Sequence, residues 1–123
     1  MSDVLQGFLK LEKEANDFGF SWPDVAMVFE QVRSEVTEVE EALAQNDHVH
    51  LAEEMGDLIH AALSLCYTLG LDPEQIMEQS TKKFQRRFDA LKAAAQAAGY
   101  ETLKGEPKAV LMRFWQEAKT KAK

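Results

Sequence analysis

The sequence predicts an all-α fold: a helical bundle of about five helices forming a single domain over residues 1–123, completed by homo-oligomerisation. Apolar residues recur at steps of three and four through most of the chain, and no segment alternates apolar and polar residues as a half-buried strand would. Glycine, proline and Asn/Asp positions interrupt that rhythm where helices should end. At 123 residues, 46% hydrophobic and 28% charged, the chain can bury a core yet sits near the size at which a second copy adds stability.

The first helix is expected over about Val4 to Phe18, with Val4, Phe8, Leu9, Leu11 and Ala15 near helical spacing. Gly19 and Pro23 punctuate the chain, and Ser21 or Trp22 is expected to cap a second helix from about Asp24 to Gln45. Its apolar positions Val25, Val28, Phe29, Val32, Val36, Val39 and Leu43 form the seam of a helix packed on other helices. Asn46-Asp47 ends this helix and starts a third, about Val49 to Leu69, stopped by Gly70. Asp72-Pro73-Glu74-Gln75 supplies an N-cap, a first-turn proline and a capping-box glutamine for a fourth helix reaching about Ala98 and Gly99. Glu106-Pro107 opens a last helix carrying Val110, Leu111, Phe114 and Trp115.

The net charge of −7 disfavours nucleic-acid polymers, whose backbones demand clustered cations. It does not disfavour a small anionic ligand, because a metal and a few placed cations reverse the local field. Cys66 is the one cysteine, so no intramolecular disulfide forms, and its apolar setting predicts a buried thiol in a reducing compartment. The opening Met1-Ser2-Asp3 has no leader character, and Leu58 to Leu71 is too short to span a bilayer. A cytoplasmic protein without membrane contact is the expectation.

Two acidic pairs carry the chemistry. Glu35 and Glu38 are spaced i,i+3; after fifteen intervening residues Glu54 and Asp57 repeat the spacing, so each pair lies on one side of one helix. The segment Ala42 to His50 is long enough for the chain to end one helix and turn back, which lets four carboxylates converge. Helical projection puts Glu35 on the shoulder of the valine stripe and Glu38 one step further out. On the third helix Glu54 falls in the sector of Leu51, Leu58, Ala61 and Leu65, with Asp57 at its border beside His50, Ser64 and Thr68. An ionised carboxylate there is costly unless neutralised or bound to a cation. No Lys or Arg occurs from Ser34 to Thr81, so no residue nearby in sequence pairs with it. Oxygen-only ligation points to Mg²⁺, with Mn²⁺ as the alternative. His60, i+3 from Asp57, suggests the Glu-x-x-His ligation of di-iron bundles, but a second copy of that motif is missing. His48 and His50 flank a turn and are expected to face solvent or cap.

The fourth helix carries Lys82-Lys83-Phe84-Gln85-Arg86-Arg87-Phe88, so four of the fourteen basic residues fall within six positions. Lys83 and Arg87 share a face, with Phe84 and Phe88 on the adjacent one, expected to pack inward. A metal-filled acidic cluster with an Arg/Lys face is an arrangement that grips a polyphosphate.

Taken in order, Glu35-x-x-Glu38, then Glu54-x-x-Asp57 within Glu-Glu-Met-Gly-Asp-Leu, then Lys83-Phe-Gln-Arg-Arg-Phe resemble the MazG-type nucleoside triphosphate pyrophosphohydrolases of the all-α NTP pyrophosphatase superfamily. Phe18-Gly-Phe-Ser-Trp-Pro-Asp24 is similar to the segment before the first acidic motif in the C-terminal catalytic domain of two-domain members. Phe114-Trp115-Gln-Glu-Ala-Lys119 resembles the end of that domain, so the likeness runs from about Phe18 to Lys119. The resemblance implies cleavage of a nucleoside triphosphate between its α and β phosphates, giving a monophosphate and pyrophosphate. It implies that Glu35, Glu38, Glu54 and Asp57 hold Mg²⁺, that Lys83 and Arg87 contact phosphates, and that Trp115 and Lys119 close on the nucleotide. It also implies a homodimer or tetramer. Thr81 stands where the family frequently has Asn, and the domain is expected to stand alone, which leaves room for a different substrate range.

Within this reading Glu38 is the expected general base, because it lies furthest from the apolar stripe and nearest to solvent. Two alternatives stay open: a phosphoribosyl-ATP or dCTP/dUTP-specific pyrophosphohydrolase of the same superfamily, and a non-catalytic acidic helical interaction module.

Overall fold

The computed structural model describes residues 3–123; Met1 and Ser2, part of the opening segment read for a leader, lie outside the described residues. Five helices follow in chain order: α1 Asp3–Phe18, α2 Val25–Ala44, α3 His48–Thr68, α4 Pro73–Ala97 and α5 Lys108–Lys121. No strand occurs among the described residues, so the chain is all-α. No helix among them is long and apolar enough to cross a membrane. The chain divides into two compact units, one ending at Glu74 and the other running Gln75–Lys123.

In the first unit, α2 and α3 form the principal packed pair and α1 lies against α3. The α2–α3 turn is what sets their register. Asn46 takes the left-handed conformation (φ 56°), which Asn tolerates better than most residues because its short side chain bonds locally. The Asn46 N–H then donates to the Leu43 carbonyl at 3.1 Å and the Asp47 N–H to the Ala42 carbonyl at 3.3 Å, closing the last turn of α2. Asp47 at once caps α3, its carboxylate accepting from the His50 N–H at 3.1 Å. Gly70 (φ 74°) stops α3 by the same device.

α2 starts where expected, but its cap differs. Neither Ser21 nor Trp22 caps it; Asp24 does, accepting from the Met27 N–H at 3.0 Å. Pro23 explains the shift, since it biases Trp22 toward extended backbone and delays the first turn past itself. Asp72 holds its expected place, accepting from the Glu74 N–H at 3.0 Å where α4 begins.

Little of the apolar seam of α2 is interior. Val28 and Ala42 are buried, whereas Val36 and Leu43 stay 42% and 63% exposed. Three helices offer too few neighbours to cover so wide a stripe, and the buried apolar positions of α2 and α3 are Val28, Ala42 and Ala61. Cys66, expected to be buried, is only half-buried.

In the second unit the core is Phe114, Ala95 and Ala118. Tyr100 meets Phe114 edge-on at 5.5 Å, a favoured aromatic geometry. Phe84 and Phe88 do not pack inward: they stack on each other at 6.2 Å and remain 58% and 40% exposed. The interior position on α5 belongs to Phe114, and Trp115 covers Phe84 only from the side, its ring 6.0 Å away.

Candidate active site

The α2–α3 pair brings three of the four expected carboxylates together. Glu35, Glu38 and Glu54 each offer an oxygen, all within 4.8 Å of one another. Two of them are interior: Glu35, expected only on the shoulder of the stripe, is as buried as Glu54, each at 8% exposure. Glu38 is exposed, and so is Asp57, one helical turn beyond Glu54.

Each buried carboxylate has one satisfied oxygen and one orphan. Gln31 Nε2 donates to Glu35 Oε1 at 2.6 Å, and His50 Nε2 lies 2.8 Å from Glu54 Oε1. Glu35 Oε2 and Glu54 Oε2 are buried with no hydrogen-bond donor. Such atoms are rare in folded proteins, because desolvation without a partner is costly. The electrostatics agree. Burial raises the Glu35 carboxyl above its ordinary range, helped by the negative charges of Glu38 and Asp57 and opposed by the Gln31 bond. At Glu54 the rise comes first from a hydrogen bond to Glu38, then from burial and the charge of Glu38, and His50 opposes it. Two acceptor-only groups forced together in this way hold either protons or a cation. The orphaned oxygens, the all-oxygen donor set and the exposed Glu38 beside them fit a hard divalent ion.

A cleft of about 760 Å³ opens beside this cluster, bounded by α1, the α1–α2 connection, α2 and α3. Glu35 and Asp57 line its acidic end. The volume is in the range of small-molecule sites.

The remaining expected residues belong to the second unit. Lys83 is exposed and has no ion pair among the described residues, whereas its neighbour Lys82 is held by Glu78 at 3.0 Å. Arg87 is half-buried, its Nε donating to the Ala122 carbonyl at 3.1 Å. Trp115 and Lys119 are half-buried on α5.

Gln31 and His50 were not foreseen as partners of the carboxylates. Their signal was present in the spacing, since each precedes its glutamate by four residues and therefore shares its face. His50 does help to start α3, through its backbone N–H, but its ring turns to Glu54. His60 goes elsewhere: its Nε2 lies 3.3 Å from Glu12 Oε1 on α1, and Phe8 meets its ring edge-on.

A helical protein that buries paired carboxylates between two connected helices, with oxygens unmet by any donor among the described residues, belongs to the class of all-α proteins with an interior acidic cluster able to hold a cation. The family is specific: residues 24–91, more than half of the chain, match the MazG nucleotide pyrophosphohydrolase domain, and the chain belongs to that family. The chain is 32% identical over 110 residues to the nucleoside triphosphate pyrophosphohydrolase/pyrophosphatase MazG of Thermotoga maritima. It is 33% identical over 112 residues to the nucleoside triphosphate pyrophosphohydrolase of Escherichia coli K12. Each match covers 89% of this chain but 42% of the relative, so the chain spans less than half the length of these curated relatives.

Proposed function

We propose that the protein hydrolyses nucleoside or deoxynucleoside triphosphates to the monophosphate and pyrophosphate in a Mg²⁺-dependent reaction. The observation that carries this reading is the pair of buried, donor-less oxygens on Glu35 and Glu54 beside Glu38. Membership of the MazG family and the names of the two relatives support the reaction class.

Glu35, Glu38, Glu54 and Asp57 would hold the ion, which when bound supplies Lewis-acid polarisation of phosphate oxygens and a template for water. Glu35 and Glu54 are fixed in place by Gln31 and His50, so their free oxygens stay aimed rather than rotating away. Glu38, the exposed glutamate beside the two buried ones, takes the proton from the attacking water at its carboxylate. Lys83 and Arg87 neutralise charge growing on the departing pyrophosphate, Lys83 being unpaired within the described chain. Trp115 and Lys119 close on the nucleotide.

The exposed apolar side chains, among them Leu43 at 63% and Val49 at 76%, support assembly as a homodimer or tetramer, because soluble monomers seldom leave such surface uncovered.

The test is direct. Incubation with Mg²⁺ and a panel of NTPs and dNTPs, with phosphoribosyl-ATP, dCTP and dUTP included, should release pyrophosphate and monophosphate in equal amounts, and a chelator should stop it. Glu38→Gln should lower turnover at least about a hundredfold while leaving the thermal unfolding curve in place. Near-normal pyrophosphate release from that variant would remove Glu38 from the role of base. Release of orthophosphate instead would overturn the bond assignment.

A further inference from the structure

The cleft beside the acidic cluster has a second polar end that the hydrolytic chemistry does not use. On α3, Asp57, His60 and Ser64 follow one another along the face that lines the cleft. The distance from Asp57 to Ser64 is about 10 Å along the helix axis, a nucleoside-sized run leading away from the carboxylates. At the far end stands Glu12, from α1, a helix outside the residues 24–91 that match the family.

The hydrogen bonding at that end has a definite sense. Ser64 is buried at 6% exposure, and its hydroxyl donates to Glu12 Oε1 at 2.9 Å. His60 Nε2 lies 3.3 Å from the same oxygen. The hydroxyl proton is therefore committed to Glu12, and Ser64 has only lone pairs left to offer. Glu12 Oε2 has no donor among the described residues, and a carboxylate accepts only. The Ser64 hydroxyl oxygen and the Glu12 carboxylate thus offer acceptors next to each other, in a cleft whose lining also includes Trp22 and Tyr67.

We propose that this end of the cleft receives the nucleobase and that Glu12 and Ser64 select a guanine edge. Guanine carries its N1–H and its 2-amino group next to each other, two donors facing two acceptors. Adenine and cytosine set an amino group beside a ring-nitrogen acceptor, and uracil and thymine set one donor between two carbonyls, so each of these bases turns an acceptor toward Glu12 or Ser64. An unpaired acceptor facing a carboxylate is strongly disfavoured, which is how a polar site discriminates. The inference rests on the nucleotide reading of the acidic site and specifies which base that site takes.

Equilibrium binding separates the two. GMP, IMP and AMP are titrated calorimetrically into the wild-type protein, Glu12→Gln and Ser64→Ala, with pyrophosphate release from dGTP measured in parallel. IMP differs from GMP only by the missing 2-amino group. The wild type should bind GMP at least about tenfold more tightly than IMP or AMP. Glu12→Gln, which turns one acceptor into a donor, should reduce that preference to less than about twofold. Ser64→Ala keeps the carboxylate and should weaken the preference in part, and it carries the test if Glu12→Gln fails to fold. Equal binding of GMP and IMP by the wild type, a preference that survives both variants, or no binding of any of the three at millimolar nucleotide would overturn the proposal. GMP selectivity without pyrophosphate release from dGTP would uphold the pocket and sink the hydrolysis reading alone.

Discussion

Glu35 and Glu54 concentrate the residue-scale physics. Both carboxyls are raised in the folded protein, Glu35 chiefly by burial and Glu54 chiefly by its hydrogen bond to Glu38. The sign follows from proton counting: where the folded state binds protons more tightly than the unfolded chain, stability falls as pH rises. For these two groups the fall begins in the ordinary carboxylate range and ends above it, once the raised folded values are passed. The effect is best read as a difference between the wild type and a variant. In the presence of a chelator, Glu54→Gln should gain stability over the wild type as pH rises through that window, measured by urea unfolding at successive pH values. The amide keeps an oxygen for His50 and removes the charge. A variant less stable than the wild type at neutral pH would show that Glu54 is not strained by its charge. Addition of Mg²⁺ should reverse the order, raising the wild-type melting temperature and leaving Glu54→Gln nearly unmoved, because only a ligand that binds the folded state stabilises it. Equal shifts in both proteins would move the metal elsewhere.

At the scale of elements, the acidic cradle depends on the turn joining its two helices. Asn46 and Asp47 form that turn, and the left-handed Asn46 is its strained point. Asn46→Val, which places a β-branched side chain in that conformation, should cost about 1–2 kcal/mol by urea denaturation. Asn46→Gly should be neutral or slightly stabilising. Removal of the α2 cap by Asp24→Ala should cost about 1 kcal/mol. The helices themselves, and the turn between α2 and α3, were legible in the sequence because periodicity and caps are local signals. The start of α2 was placed to within a residue, but its cap was assigned to Ser21 or Trp22 rather than Asp24, because the backbone bias imposed by Pro23 was not weighed. Glu54 was recognisable as an anomaly from projection alone, since one apolar arc held it. Glu35 was not, because its burial depends on the packing of α3 against α2. Glu12 carried no signal at all: its significance comes from Ser64, fifty-two residues away.

At the scale of the whole molecule, the chain leaves a large share of its apolar surface in water. Phe18 and Phe20 are 89% and 81% exposed, and Ile59 on α3 is 56% exposed. If further copies cover this surface, light scattering coupled to gel filtration should return the mass of a dimer or tetramer, and Leu43→Glu should shift it toward the protomer. A protomer mass for the wild type at micromolar concentration would leave the exposed residues without that explanation. Charge patterning belongs to this scale as well: in an acidic chain, four of the fourteen basic residues fall within six positions of α4.

The sequence by itself determined the class of the fold, the glutamates that gather between α2 and α3, and the family, because each is written in short-range spacing: 3.6-residue periodicity, i,i+3 carboxylates and the order of motifs. Only the tertiary structure decided which carboxylate oxygens lack a donor, that Gln31 and His50 hold the other two, that Phe84 and Phe88 stay exposed, and that Glu12 meets Ser64. Those outcomes depend on how closely separate helices approach, a distance that no local pattern of residues encodes.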